Sequence, residues 1–303
     1  MAVAKPAVQI ALRNILVATD FSPCSDRALE HALAIARHYG AAIHFAHVVQ
    51  PAAYTLACPE GYAGTPEAIS EAADLARRDV EKVAQRGMAN YGIEMLDHQV
   101  WVSQGDVWDM LHTIVMQQDI DLVVVGTHGR RGLRKMILGS VAEDVFRHCR
   151  CPVLTVGPHA PAAAPPALRT RQVLFPTDLS PESLAALPFA LSPMQEFLAA
   201  VTVLHVTGPA GGNRPREWRQ IEEQMRALVG REVSLAGVDF EIESGPVAKT
   251  ILRYAEERHA DLIVFGLKPP DTYVERLPWQ EAYRVVCEAP CPVLTVRAPS
   301  AWD

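Results

Sequence analysis

Short runs of apolar, often β-branched residues recur along the chain, each followed by a segment whose apolar positions repeat at helical spacing. In the first half the runs at 15–18, 122–125 and 153–156 are apolar at consecutive rather than alternate positions. Strands of that kind are covered by helices on both faces, as in a parallel sheet. The pattern predicts strands at 14–19, 42–49, 93–102, 121–126 and 152–156, with helices near 25–39, 66–90, 106–118 and 140–149. Alternating strand and helix predict a doubly wound α/β domain. Sheets of this type take ligands beyond the carboxyl ends of their strands, where the strand order reverses.

The pattern then repeats. "ILVATDFS" at 15–22 returns as "VLFPTDLS" at 173–180, and His47–Val48 returns as His205–Val206, both at an offset of 158. "DLVVVG" at 121–126 pairs with "DLIVFG" at 261–266, and "CPVLTV" at 151–156 with the same hexapeptide at 291–296, now at an offset of 140. The second copy is therefore 18 residues shorter between its second strand and third helix, and "QPAAYTLACPEGYAGTPEAISE" at 50–71 is the expected surplus, a surface excursion. "GPHAPAAAPPALRT" between the copies has no usable period and reads as a Pro/Ala linker. The expectation is two tandem α/β domains, 1–157 and 172–303, joined by a linker at 158–171. Each would hold a five-stranded, mainly parallel sheet flanked by helices. The two "CPVLTV" strands carry apolar edges that invite association, so they are expected to meet in a pseudo-two-fold pair within one chain; a homodimer of such chains stays open.

Composition narrows the function. A chain of 303 residues with 49% hydrophobic content can bury two cores. No apolar run reaches the roughly 18 residues of a membrane helix, and no cleavable signal is visible, so a cytoplasmic protein without a membrane partner is expected. The net charge of −7, with both signs well mixed, argues against a nucleic-acid partner. Cys149-x-Cys151 and Cys287-x3-Cys291 lack zinc spacing, and the six cysteines read as reduced, mostly buried thiols.

The candidate chemistry lies in "VVVGTHGRRGLRKMILGSVAEDVF" at 123–146. Gly126 ends the fourth strand, Gly129 and Gly132 follow, and Gly139-Ser140 opens a helix. Glycine lets a backbone approach a ligand, successive N–H groups can form an anion nest, and a helix start adds donors and partial positive charge. Arg130, Arg131, Arg134 and Lys135 surround that start in an otherwise acidic protein. A phosphate chain fits such a cradle. The same residues allow another reading: "SVAE" at 140–143 has the form of a capping box, and the basic residues could be a solvated loop.

The arrangement Gly-x2-Gly-x9-Gly-Ser after a fourth strand, with "VATDFS" on the first and "HV" on the second, resembles the universal stress protein family over nearly the whole chain as two tandem domains. The resemblance implies an ATP-binding first domain with Mg²⁺ on the phosphates. Gly126, Gly129, Gly139 and Ser140 would hold phosphates and ribose, Asp20 and Ala18 would lie beside the nucleotide, and Ile43 would face the adenine. Thr19, Thr127, His128, Arg130, Arg131, Gly132 and Val141 belong to the same implied binding surface. ATP, ADP and AMP are not distinguished by such a cradle. The second copy departs from the pattern: Gly129 becomes Pro269, Gly139 becomes Trp279 and Ser140 becomes Gln280, while Asp178 and Gly266 remain. Proline has no N–H to offer and tryptophan fills the space, so the second domain is not expected to bind ATP in the first domain's manner.

Three functions are compatible with these residues: a nucleotide-dependent regulatory or sensor module in stress response, a slow ATP hydrolase, and an association scaffold without ligand. Asp20 and His128 are the nameable bases for hydrolysis, and "DFSPCSD" would serve equally as a helix cap. His44 and His47 point to opposite strand faces and cannot chelate together; His47 and His205 recur with and without the cradle and read as structural. No G-x-x-x-x-G-K-[ST] loop is present, and no G-x-G-x-x-G follows the first strand.

Overall fold

A computed structural model describes residues 10–49, 66–127, 138–163, 170–208, 215–267 and 276–298. The first half runs β1 (Asn14–Ala18), α1 (Pro23–Tyr39), β2 (Ala42–Val49), α2 (Pro66–Tyr91), β3 (His98–Gln104), α3 (Val107–Gln117), β4 (Leu122–Gly126), α4 (Ser140–His148) and β5 (Val153–Val156). The second runs β6 (Gln172–Pro176), α5 (Pro181–Leu184), α6 (Leu187–Phe197), β7 (Ala200–Thr207), α7 (Pro215–Glu232), β8 (Val238–Ser244), α8 (Val247–Glu257), β9 (Leu262–Leu267), α9 (Arg276–Glu288) and β10 (Val293–Arg297).

The strands form one ten-stranded sheet in the order β3-β2-β1-β4-β5-β10-β9-β6-β7-β8. Every neighbouring pair within a half is parallel, and the halves meet where β5 and β10 pair antiparallel about Leu154 and Leu294. The expected meeting of the "CPVLTV" strands is what the register shows. Thr155 Oγ1 donates to Val293 O at 3.1 Å and Thr295 Oγ1 to Val153 O at 3.3 Å, a near-symmetric pair across the junction.

Consecutive apolar residues are buried on alternate faces. Ile15 and Val17 pack in one core layer with α1 and α2, and Leu16 in the other with α3 and α4, all three at 0% exposure. Burial of such side chains is worth roughly 1.5–3 kcal/mol each. An aspartate ahead of β4 fixes the start of β1: Asp121 Oδ2 accepts the Arg13 and Asn14 N–H groups at 2.7 and 2.9 Å. Asp261 does the same for Arg171 and Gln172 at 2.7 and 3.0 Å.

Two sequence expectations need correction. The third strand begins at His98, not at 93. Gly92 ends α2 at φ 63°, and the Ile93 and Leu96 N–H groups donate to Met88 O and Ile93 O, which commits 93–97 to a turn. The surplus of the first half is also not confined to a loop, because α2 has 26 residues and its counterpart α7 has 18. Residues 66–71 are thus the start of a helix, and 50–65 lie outside the described residues. The Pro/Ala stretch begins pinned to the first half: Arg27 donates to Pro158 O at 2.7 Å and Tyr91 Oη to Ala163 O at 2.6 Å.

Cys24, Cys149, Cys151, Cys287 and Cys291 are free thiols, all buried except the half-buried Cys151. Among the described residues no helix is long and apolar enough to cross a membrane.

Candidate functional site

From β1 the chain moves outward through β2 to β3, then returns to β4 on the other side of β1. The order reverses between β1 and β4, so the loops leaving their carboxyl ends diverge and open a crevice. The β1 loop is a tight turn. Thr19 N–H donates to Ala46 O at 2.9 Å, Thr19 Oγ1 accepts Phe21 N–H at 3.1 Å, and Asp20 Oδ1 accepts Ser22 N–H at 3.0 Å. Ser22 and Ser25 then cap α1 reciprocally, with Pro23 in the first turn.

The turn forces Phe21 to φ 59°, a left-handed conformation that costs a bulky residue roughly 1–2 kcal/mol. His47 helps to hold it. Its Nδ1 lies 2.8 Å from Thr19 O, and a carbonyl can only accept, so Nδ1 carries the proton. The imidazole ring also packs on Phe21 at 4.7 Å. The second half builds the same turn: Leu179 sits at φ 64°, Asp178 Oδ1 accepts Ser180 N–H at 3.0 Å, and His205 Nδ1 donates to Thr177 O at 2.9 Å. Both histidines are structural, and so is at least one carboxylate oxygen of Asp20. Burial, reinforced by the charge of Asp20, pushes the Asp26 carboxyl up from its usual range.

Gly126 has a structural task of its own. A Cβ there would stand 2.8 Å from Cys24 C and 2.9 Å from Ser25 N, inside the first turn of α1. At Gly266 the contacts would be 2.4 Å to the carbonyl oxygens of Glu182 and Ser183. Retention of Gly266 in the copy without the other glycines thus has a packing reason.

Beyond Gly126 the loop closes on itself. Thr127 is fully buried, its N–H donates to Val156 O at 3.0 Å, and its carbonyl accepts Gly139 N–H at 2.7 Å. The ends of the loop are therefore fastened together. His128, Gly129, Arg130, Arg131 and Gly132 lie outside the described residues, as do Arg134 and Lys135. The capping-box reading of "SVAE" does not hold. Gly139 is the N-cap of α4, at φ −58° and ψ 151°, with no side-chain cap bond, and Ser140 is already the first helical residue. Glu143 instead pairs with Arg147 at 2.6 Å. The exposed Ser140 and half-buried Val141 thus start a helix whose N-cap residue has no side chain to cap it, and among the described residues no other side chain does so.

Ile43 does not belong to this constellation. It pairs with Ile15 near the amino ends of the strands and is fully buried in the core layer under α1. At the carboxyl end, Ala18 pairs with Ala46, and half-buried Val48 lies two residues further along β2. The recurring His-Val dipeptide was the sequence signal for that position. The structure brings Ala18, Thr19, Asp20, Gly126, Thr127, Gly139, Ser140 and Val141 to the ends of β1 and β4.

The second half closes the corresponding helix start. Ser140 aligns with Gln280, but α9 begins at Arg276, four residues earlier. Trp279 therefore falls inside the helix where Gly139 caps α4. Helical geometry spends the Gln280 and Glu281 N–H groups on the preceding turn, and Pro278 supplies none. Glu281, in place of Val141, accepts Ala248 N–H at 2.5 Å at the start of α8. Pro246 at that helix's N-cap has no side chain for the purpose. Pro269 and the side chain of Trp279 lie outside the described residues.

Comparison with known proteins agrees with this duplicated design. The model of the universal stress protein family matches residues 11–157 and again 169–297. A universal stress protein of Methanocaldococcus jannaschii is 31% identical over 145 residues, 48% of this chain and 81% of that protein. One from Mycolicibacterium smegmatis is 28% identical over 296 residues, covering 94% of this chain and 97% of its own. The crystal structure of a universal stress protein from Archaeoglobus fulgidus superposes with a TM-score of 0.68 at 21% identity, over 94% of this chain and 98% of the other, which shows the fold. With two matches that together span most of its length, the chain belongs to the universal stress protein family as a tandem member.

Proposed function

We propose that the first repeat binds an adenine nucleotide, with its phosphates at the start of α4, and that the second repeat does not. The observation that carries this reading is the contrast between two aligned helix starts. Gly139 leaves α4 open at the fastened end of a glycine-rich, basic loop, whereas α9 runs through the same position with an extra turn. An open helix start favours anions by its N–H groups and dipole; the four cations of 130–135 add to that field. Ala18, Asp20 and Val48 at the ends of β1 and β2 would border the nucleoside.

Among the described residues no group of three or more His, Cys, Asp or Glu could hold a metal ion. In this reading Mg²⁺ accompanies the phosphates. Asp20 is engaged in the α1 turn, which speaks against it as a base and favours a regulatory module over a hydrolase. Occupancy would change the surface shown to a partner.

Thermal unfolding with and without ligand tests the reading. Mg·ATP at about 100 times its Kd is expected to stabilise the chain by roughly 2.7 kcal/mol, a Tm rise of several degrees, with adenosine giving much less. No shift at millimolar Mg·ATP, or equal shifts with adenosine, would count against phosphate binding.

A further inference from the structure

α4 is held at both ends by the other half of the chain. At its start, Leu138 N–H donates to Tyr283 Oη at 3.0 Å, one residue before the Gly139 N-cap. Leu138 itself is 1% exposed, and the Tyr283 ring meets Phe146 of α4 edge-on at 6.4 Å. At its end, the Arg297 guanidinium donates to the carbonyls of Phe146, Arg147 and Cys149, the groups a helix C-terminus leaves without partners.

Neither contact can be returned. At the offset of 140, Leu138 corresponds to Pro278, which has no N–H, and Tyr283 to Glu143, which pairs with Arg147. Arg297 corresponds to Gly157, which has no side chain to reach with. A pseudo-two-fold arrangement would allow each half to support the other. Among the described residues these three replacements make the hydrogen bonds to the helix ends run in one direction, from the second repeat to the first.

We infer that the second repeat sets the anion affinity of the first, with Tyr283 and Arg297 as positioning residues that hold α4 and the peptide entering it. The inference rests on the reading that the start of α4 receives phosphate. Leu138, fixed through its N–H, and Gly139, whose N–H goes to Thr127 O, lead directly into the Ser140 and Val141 N–H groups, so loosening Leu138 should weaken phosphate binding and spare nucleoside binding.

Tyr283→Phe keeps the ring on Phe146 and removes only the acceptor. Titration calorimetry is expected to show Mg·ATP bound about 3- to 10-fold more weakly, the usual range for one lost hydrogen bond, and adenosine within twofold of the parent. Hydrogen–deuterium exchange of a peptide spanning 135–150 is expected to speed up at Leu138, with or without nucleotide. Arg297→Lys, which keeps the charge but loses the fork, is expected to speed exchange at the far end of the same peptide. Unchanged ATP affinity, or equal losses for ATP and adenosine, would overturn the affinity claim. Unchanged exchange in Tyr283→Phe would overturn the positioning role. Parent protein that binds no nucleotide would remove the affinity claim together with the reading beneath it, and the exchange comparison would still decide whether Tyr283 positions α4.

Discussion

Gly266→Ala is expected to destabilise the chain by about 2–4 kcal/mol, near the upper end for an over-packed core site. At roughly 2–4 °C per kcal/mol for a chain of this size class, Tm should fall by about 4–16 °C. Gly126→Ala is expected to fall less, because its new methyl meets α1 atoms at 2.8–2.9 Å where Gly266 meets carbonyl oxygens at 2.4 Å. The order matters more than the size. The comparison is made without nucleotide, so a loss at Gly266 reports packing against α5. Scanning calorimetry on the two variants, without nucleotide, checks it. A Gly266→Ala protein within 1 °C of the parent would show that α5 yields to the methyl at little cost, and the packing account of both glycines would fall.

Gly139→Trp is the second large effect, and it acts on the ligand. The backbone at Gly139, φ −58° and ψ 151°, is open to any residue, so the fold is expected to persist. The indole would instead fill the space in front of α4. Mg·ATP affinity is expected to fall at least 100-fold, with the circular dichroism spectrum and Tm without ligand close to the parent. Gly139→Ala should cost far less, since a methyl neither blocks the helix start nor strains the backbone. Parent-like affinity in Gly139→Trp would move the anion away from α4.

Much of this was legible in the chain before any coordinates. Short apolar, β-branched runs between helical patterns read as strands of a covered parallel sheet, and the repeat of "CPVLTV" anticipated the β5·β10 junction. The misreadings have local physical causes. Ile93 and Leu96 continue an apolar pattern toward β3, but Gly92 at φ 63° had already turned the chain. Ile43 is an apolar residue in the amino half of a strand, and such a residue belongs to the core by default; counting register from the Ala18–Ala46 pair puts Val48, not Ile43, toward the carboxyl end. "SVAE" has the letters of a capping box, yet the helix starts one residue earlier, with glycine as its cap. Gly126 fits a phosphate loop and a packing contact equally well by sequence, and only the distance to Cys24 and Ser25 separates them.

The early start of α9 did leave a signal. Pro278 is tolerated in the first turn of a helix and disfavoured beyond it, so its position marks a helix beginning near 276. The cross-support of α4 left none, because Tyr283 and Leu138 are 145 residues apart and only the antiparallel junction brings them together.

The central claim is one open nucleotide site in a chain built from two copies of the same domain. The most direct test is to denature freshly purified protein, quantify the released adenine nucleotide by mass spectrometry, and repeat the measurement on Gly129→Pro. One nucleotide per chain in the parent and none in the variant is the result expected here. Two per chain, an equal yield from Gly129→Pro, or none even after incubation with Mg·ATP would contradict it.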